Sequence, residues 1–151
     1  MKPKEILLSD YTAPEYTITH VELSFKLAPR ATLVKSRLTI KLNTTSSPNP
    51  PLILHGEDLK LLSVTVDRKL LNKTQFKAST EKLEIPYETI RRNNFNLECH
   101  TEINPEKNTS LEGLYLSNGV YCTQCEPEGF RKITYYLDRP DVLAKFKVRI
   151  E

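Results

Sequence analysis

Alternation of apolar and polar residues with a period of two runs through most of this chain and constrains it more than any other feature. Val21, Leu23, Phe25 and Leu27 alternate with His20, Glu22, Ser24 and Lys26. Successive side chains of a strand point to opposite sides of a sheet, so this is the pattern of a strand with one dry and one wet face. Val34, Leu38, Ile40 and Leu42 alternate in the same way with Lys35, Arg37, Thr39 and Lys41, as do Phe95, Leu97 and Cys99 with Asn96, Glu98 and His100. Shorter candidate strands lie at Leu52-Ile53-Leu54, at residues 61–66, at Gln75-Phe76-Lys77 and at Leu83-Glu84-Ile85. No long window carries the i, i+3, i+4, i+7 spacing of a helix, and the supply of Thr, Val, Ile and Tyr favours strands. The expectation is an all-β domain with hairpins, either sandwich-like or an extended, saddle-like sheet.

Punctuation between the strands supports this reading. The run Ser46-Ser47-Pro48-Asn49-Pro50-Pro51 cannot supply ladder donors at its prolines and reads as a connecting loop. Asn118-Gly119 sits between Leu114-Tyr115-Leu116-Ser117 and Val120-Tyr121-Cys122-Thr123. That dipeptide tolerates the positive φ angles of a two-residue hairpin turn, so a hairpin is expected here. Its second strand leads into Gln124 and Glu126, two residues apart and expected to share a face until Pro127 interrupts the ladder. At the far end Ala144, Phe146, Val148 and Ile150 alternate with Lys145, Lys147 and Arg149 up to Glu151. This strand runs to the last residue with no turn after it, so the domain, 1–151, is expected to be incomplete at its C-terminal end. Its free edge offers unpaired backbone groups, which makes edge-strand self-association an expected property of the isolated chain.

Composition narrows the function classes. A chain of 151 residues fits one domain and buries about two-thirds of its unfolded surface without staples. The net charge is +3, and each basic run, such as Arg91-Arg92 or Lys145 to Arg149, has acidic or apolar neighbours. These charges read as solvated strand faces rather than a nucleic-acid surface, and no nucleic acid or membrane partner is expected. The apolar run Ile6-Leu7-Leu8 is too short for an export signal or a spanning helix, so a cytoplasmic location is expected. Three cysteines, Cys99, Cys122 and Cys125, cannot all pair within one chain, which fits a reducing compartment. The sequons at Asn43, Asn72 and Asn108 would matter only in a secreted protein.

Cys122-x-x-Cys125 invites a metal or redox reading, but a structural zinc site needs four ligands. The other candidates, Cys99, His100, His20 and His55, form no second spaced pair, and no metal is expected in this chain. There is no Ser-His-Asp arrangement and no Gly-rich phosphate loop, so no catalytic residues are assigned. A His-Glu-x-x-His helix, which would carry a zinc ion and its general base, does not occur. Glu128 and Arg131 read as a structural pair, and Tyr135 and Tyr136 as packed rings with their hydroxyls at the surface.

The stretch Thr123-Gln124-Cys125-Glu126-Pro127-Glu128-Gly129-Phe130-Arg131, continuing through Ile133-Thr134-Tyr135-Tyr136-Leu137-Asp138-Arg139-Pro140-Asp141, is polar, aromatic and specific where a packed strand would be merely apolar. It resembles a segment of the bacterial aminopeptidase N family, zinc enzymes that remove single residues from peptide N-termini. Asp10-Tyr11-x-Ala13-Pro14, Gly56-Glu57-Asp58-Leu59-Lys60-Leu61 and Asn108-Thr109-x-Leu111-Glu112-Gly113-Leu114-Tyr115 resemble the same family in the same order, so the likeness covers essentially the whole chain. The resemblance implies an N-terminal β domain of a zinc aminopeptidase that supplies part of the substrate pocket. The zinc ion, the catalytic residues and the Gly-x-Met-Glu-Asn exopeptidase run would belong to a catalytic domain missing from this chain. By motif match Gln124 falls to the first specificity subsite, and Glu126 to the free α-ammonium of the substrate peptide. The chain alone is expected to be inactive. The alternative, from the strands alone, is a free-standing β-sandwich module that binds a peptide, a sugar or another protein without enzymatic activity.

Overall fold

The computed structural model describes residues 7–44 and 47–151. Ile6 of the short apolar run and Ser46 at the head of the proline-rich loop lie outside the described residues. Among the described residues strands make up 48% and the one α-helix is a single turn, so the all-β expectation holds.

The long alternating segments form the strands read from them: β1 is Tyr16–Lys26, β2 is Thr32–Leu42, β3 is Leu52–His55 and β4 is Lys60–Val66. Next come two two-residue strands, β5 at Lys69–Leu70 and β6 at Lys77–Ala78, then β7 at Lys82–Ile85 and the helix α1 at Tyr87–Ile90. The remainder are β8 at Asn94–Ile103, β9 at Gly113–Ser117, β10 at Val120–Gln124 and β11 at Lys145–Ile150. A six-stranded sheet has the order β11-β1-β2-β8-β4-β5, a three-stranded sheet the order β3-β7-β6, and β9 pairs with β10 alone. Every pairing is antiparallel except that of β11 with β1.

Register explains the core. Val21 lies beside Leu38, Leu38 beside Leu97, and Val66 beside Leu97 on the next strand, so one apolar row crosses the large sheet from strand to strand. These side chains join Leu52, Leu54, Leu83 and Ile85 of the small sheet in one buried cluster. The opposite face of the large sheet carries the charges, paired across strands: Lys35 and Arg37 each lie 3.2 Å from Glu98, and Lys60 lies 3.0 Å from Glu102. In-phase Ser36 is buried on the apolar row because its hydroxyl accepts a 2.8 Å hydrogen bond from Thr134. That bond fastens the 133–137 segment onto β2, while His55 and Tyr136 exchange backbone hydrogen bonds of 2.8 and 3.0 Å that fasten it to β3.

The structure corrects two local readings. Gln75 and Phe76 are not strand: the Gln75 side-chain oxygen accepts from the backbone N–H of Asn72, and Gln75 N–H donates to Asn72 O, which makes a turn. Tyr136 does not keep its hydroxyl at the surface, and Tyr135 is only 1% exposed. The Tyr136 ring stacks edge-on with Phe130 at 4.9 Å, and its hydroxyl is buried with no partner among the described residues. The apolar row of β11 is in register with that of β1, Phe146 beside Val21 and Val148 beside Leu23, and all six β11 residues are exposed.

Candidate functional site

The hairpin forms where Asn118-Gly119 places it. Both turn residues have positive φ, 48° and 80°, the conformation whose twist matches that of the flanking strands. β10 then ends at Gln124, and the chain turns back on itself over residues 125–129, closed by a 3.0 Å bond from Gly129 N–H to Cys125 O. Glycine is required at 129 by contact: a Cβ there would lie 2.5 Å from the Gln124 carbonyl oxygen. The Glu126-Pro127 peptide bond in this turn is cis.

Gln124 and Glu126 are therefore brought together, though not as two residues of one strand. Glu126 stands past the strand end, and the Gln124 side chain donates from Nε2 to the Glu126 carbonyl oxygen at 2.7 Å. Gln124 and Glu126 are both exposed. The groove beside the loop, lined by His55, Glu128, Arg131, Asp138 and Arg139 among others, includes neither of them. Glu126 thus projects from the surface outside that groove.

Beyond the turn lies an ion-paired base. Arg131 donates from Nε to Asp138 Oδ2 at 3.0 Å and from Nη2 to the Asp138 carbonyl at 3.0 Å, and its backbone N–H donates to the same carboxylate at 3.1 Å. Its Nη1 lies 3.4 Å from Glu128. The Arg131 and Asp138 side chains are only 18% and 13% exposed, which makes this forked, charge-assisted contact a firm anchor. Asp138 N–H donates to Nδ1 of His55 at 3.1 Å, which places the imidazole proton on Nε2. Burial first, and the Arg131 charge second, hold the His55 pKa below its ordinary value, so the ring is neutral at pH 7.

Lys132, its side chain largely buried, ties its own segment to two other loops. Its ammonium lies 2.9 Å from Glu57, 3.4 Å from Glu112 and 3.8 Å from Asp58. The hydrogen bond to Glu57 is the main cause of its raised pKa. Arg139 binds Asp141 in the same manner, at 2.9 and 2.7 Å. In this end of the molecule Glu57, Asp58, Glu112, Glu128, Asp138 and Asp141 each lie within 4 Å of a cation, shared among Arg131, Lys132 and Arg139. The Glu126 carboxylate has no hydrogen-bond or ion-pair partner among the described residues.

Sequence spacing pairs Glu128 with Arg131, as found, but leaves His55, Lys132 and Asp138 unmarked. Their partners lie far away in the chain or across the 3-10 turn Phe130–Lys132, and no periodicity signals such contacts. All three cysteines are free thiols. Among the described residues no group of three His, Cys, Asp or Glu side chains converges to hold a metal ion, so the zinc that the resemblance implies has no fitting site here. Nor is any helix among them long and apolar enough to cross a membrane.

The chain is 44% identical over 149 residues to an aminopeptidase N of Escherichia coli and 42% identical over 149 residues to one of Caulobacter vibrioides. In both cases 99% of this chain is covered, but only 16% and 17% of the relative, so the chain spans a small part of the length of the curated relatives it matches. Its fold matches a crystal structure of Legionella pneumophila aminopeptidase A in complex with aspartic acid, with a TM-score of 0.86, 35% identity, and coverage of 95% of this chain and 17% of that one. A native leukotriene A4 hydrolase of yeast shares the fold at a TM-score of 0.72 and 19% identity, covering 91% of this chain and 23% of that one. The family model for the Peptidase M1 N-terminal domain matches residues 14–151, and this chain belongs to that family.

Proposed function

We propose that this chain is the N-terminal β domain of a zinc-dependent aminopeptidase that releases N-terminal amino acids from peptides. Its contribution would be one wall of the substrate pocket. The observation that carries the proposal is the unpartnered Glu126 carboxylate on a loop whose other acid, Glu128, is ion-paired with Arg131. A peptide amino terminus has a pKa of about 8 and is largely protonated at neutral pH. A carboxylate with no competing cation can receive it through a charge-assisted hydrogen bond, and anchoring that ammonium confines cleavage to the first residue. Gln124 would border the first side-chain subsite, offering donor and acceptor groups without charge. Its hydrogen bond to the Glu126 carbonyl ties the two functions to one short segment.

Zinc and the bond-breaking residues would lie in the catalytic domain of the parent, outside this chain. Support for this division comes from the relatives that carry the aminopeptidase name, of whose length the chain covers only 16% and 17%. A free-standing binding module is not favoured by any of these comparisons. The exposed apolar row of β11 supports a domain whose cover is completed by further polypeptide in the parent. A cytoplasmic parent is part of the same proposal, and subcellular fractionation tests it.

Magnitudes set what the isolated chain does. One exposed carboxylate-ammonium pair contributes about 0.2–1 kcal/mol, whereas a millimolar dissociation constant requires about 4 kcal/mol. The chain alone is therefore expected neither to bind peptides measurably nor to hydrolyse an amino-acid anilide, with or without added zinc. In the full-length parent, Glu126→Gln is expected to lower kcat/KM on such an anilide by about thirtyfold, the equivalent of about 2 kcal/mol of lost charged hydrogen bonding. Unchanged kcat/KM would remove Glu126 from the site, and turnover by the isolated chain would refute the division of labour.

A further inference from the structure

The loop that carries Glu126 also carries a second carboxylate two residues away, at Glu128, held in the left-handed region at a φ of 61°. Two free acids on one short loop would offer an incoming ammonium two seats and would repel each other. Arg131 prevents this. Its guanidinium is forked, so Nη1 reaches Glu128 at 3.4 Å while Nε and Nη2 remain on Asp138. Asp138 in turn is held by its backbone N–H on His55, and Arg131 O accepts from Glu57 N–H at 2.9 Å, so the cation is fixed from both sides of the loop. A lysine at this position could serve one carboxylate or the other, not both at fixed angles.

We propose that Arg131 is a positioning residue: by occupying Glu128 and Asp138 together, it leaves Glu126 as the one carboxylate of the loop free to receive a peptide amino terminus. This role rests on Glu126 being the ammonium anchor of the parent enzyme. Register is at stake as well as charge. With Glu128 released, the ammonium has a rival seat displaced by two residues along the chain, and a peptide held there presents the wrong bond to the catalytic groups.

The test uses the full-length parent with Arg131→Gln, Arg131→Lys, and each combined with Glu128→Gln, after thermal melts establish that the variants fold. Binding in a rival seat lowers kcat without raising KM. Arg131→Gln is therefore expected to reduce kcat by about three- to tenfold at unchanged or lowered KM. Arg131→Lys should show the same direction with a smaller effect, and it keeps the test available if Arg131→Gln does not fold. Adding Glu128→Gln removes the rival and should return kcat most of the way to the parent value. A purely structural role for Arg131 is not repaired by Glu128→Gln, because the Asp138 fork stays broken; failure of that rescue, or a rise in KM alone, would overturn the proposal. An inert Glu126→Gln, by contrast, would locate the failure in the role of Glu126 itself.

Discussion

β2 and β11 carry the same alternation and meet opposite fates. In β2 Val34, Leu38 and Ile40 are 1%, 0% and 0% exposed, whereas in β11 Phe146, Val148 and Ile150 are 51%, 52% and 65% exposed. Both rows point to the same side of the large sheet, since β11 is in register with β1 and β1 with β2. The difference is in neighbours. β2 is flanked by β1 and β8, and the 133–137 segment is fastened over it. β11 is an edge strand, and on its apolar side the Phe146 ring lies 5.8 Å from that of Phe130. Alternation fixes the face of a sheet on which a side chain lies, and burial then depends on what is stacked above that face.

The sharpest way to break this comparison is to truncate one side chain from each strand. Leu38→Ala should destabilise the isolated chain by about 2–5 kcal/mol, the range for a fully buried leucine. Val148→Ala should cost less than about 0.5 kcal/mol, as at an exposed site. Urea unfolding monitored by circular dichroism measures both, and equal losses would mean that the β11 face is covered after all.

Self-association offers a second, smaller effect. Antiparallel pairing of two β11 edges about a two-fold at Val148 would put Phe146 opposite Ile150 of the second copy, and Lys147 opposite Arg149. The apolar contacts attract, while the repulsion between Lys147 and Arg149 is offset by Lys145 opposite Glu151, so dimer formation should change little with added salt. Sedimentation equilibrium reads this directly, and Val148→Lys should keep the chain monomeric. A dimer that weakens with salt would point to a different surface.

The smallest effect concerns pH, at the segment leading into β11. The Arg139 hydrogen bond, aided by one from the Tyr11 hydroxyl, holds the Asp141 carboxyl below its ordinary 3.8. A lowered carboxyl pKa contributes stability that is complete above 3.8 and disappears as pH falls through the folded value. Asp141→Asn should therefore cost about 0.2–1 kcal/mol at about pH 6 and nearly nothing at the acid limit of folding, measured as shifts in the urea midpoint. A cost that persists unchanged in acid would assign the contact to packing rather than charge.

Much of the scaffold is legible in the residues themselves. β1, β2 and β8 announce themselves by alternation, although β1 begins at Tyr16, ahead of the alternating run, because a register shift between Ile18 and His20 breaks the phase, and Asn118-Gly119 announces its turn by the φ angles it tolerates. The rest is set by contacts across the chain. Gln75 and Phe76 look like strand until the Asn72 and Gln75 side chains are seen to bond the local backbone, and Tyr136 looks amphipathic until the Phe130 and Phe146 rings close around it. At the candidate site the motif brings Gln124 and Glu126 forward, but not the reason Glu126 stands alone. That reason is the pairing of Glu128, Asp138, Glu57, Glu112 and Asp141 with Arg131, Lys132 or Arg139, in which Lys132 meets Glu57 from a loop much earlier in the chain.

The amide of Gln124 grips the carbonyl of Glu126, and on the proposed reading this makes selectivity and anchorage a single heritable unit. An exchange at 124 that alters which first residue is accepted also releases the backbone that presents the acid. Variants with new side-chain preferences should therefore tend to arise with compensating changes within the same short turn rather than elsewhere on the sheet.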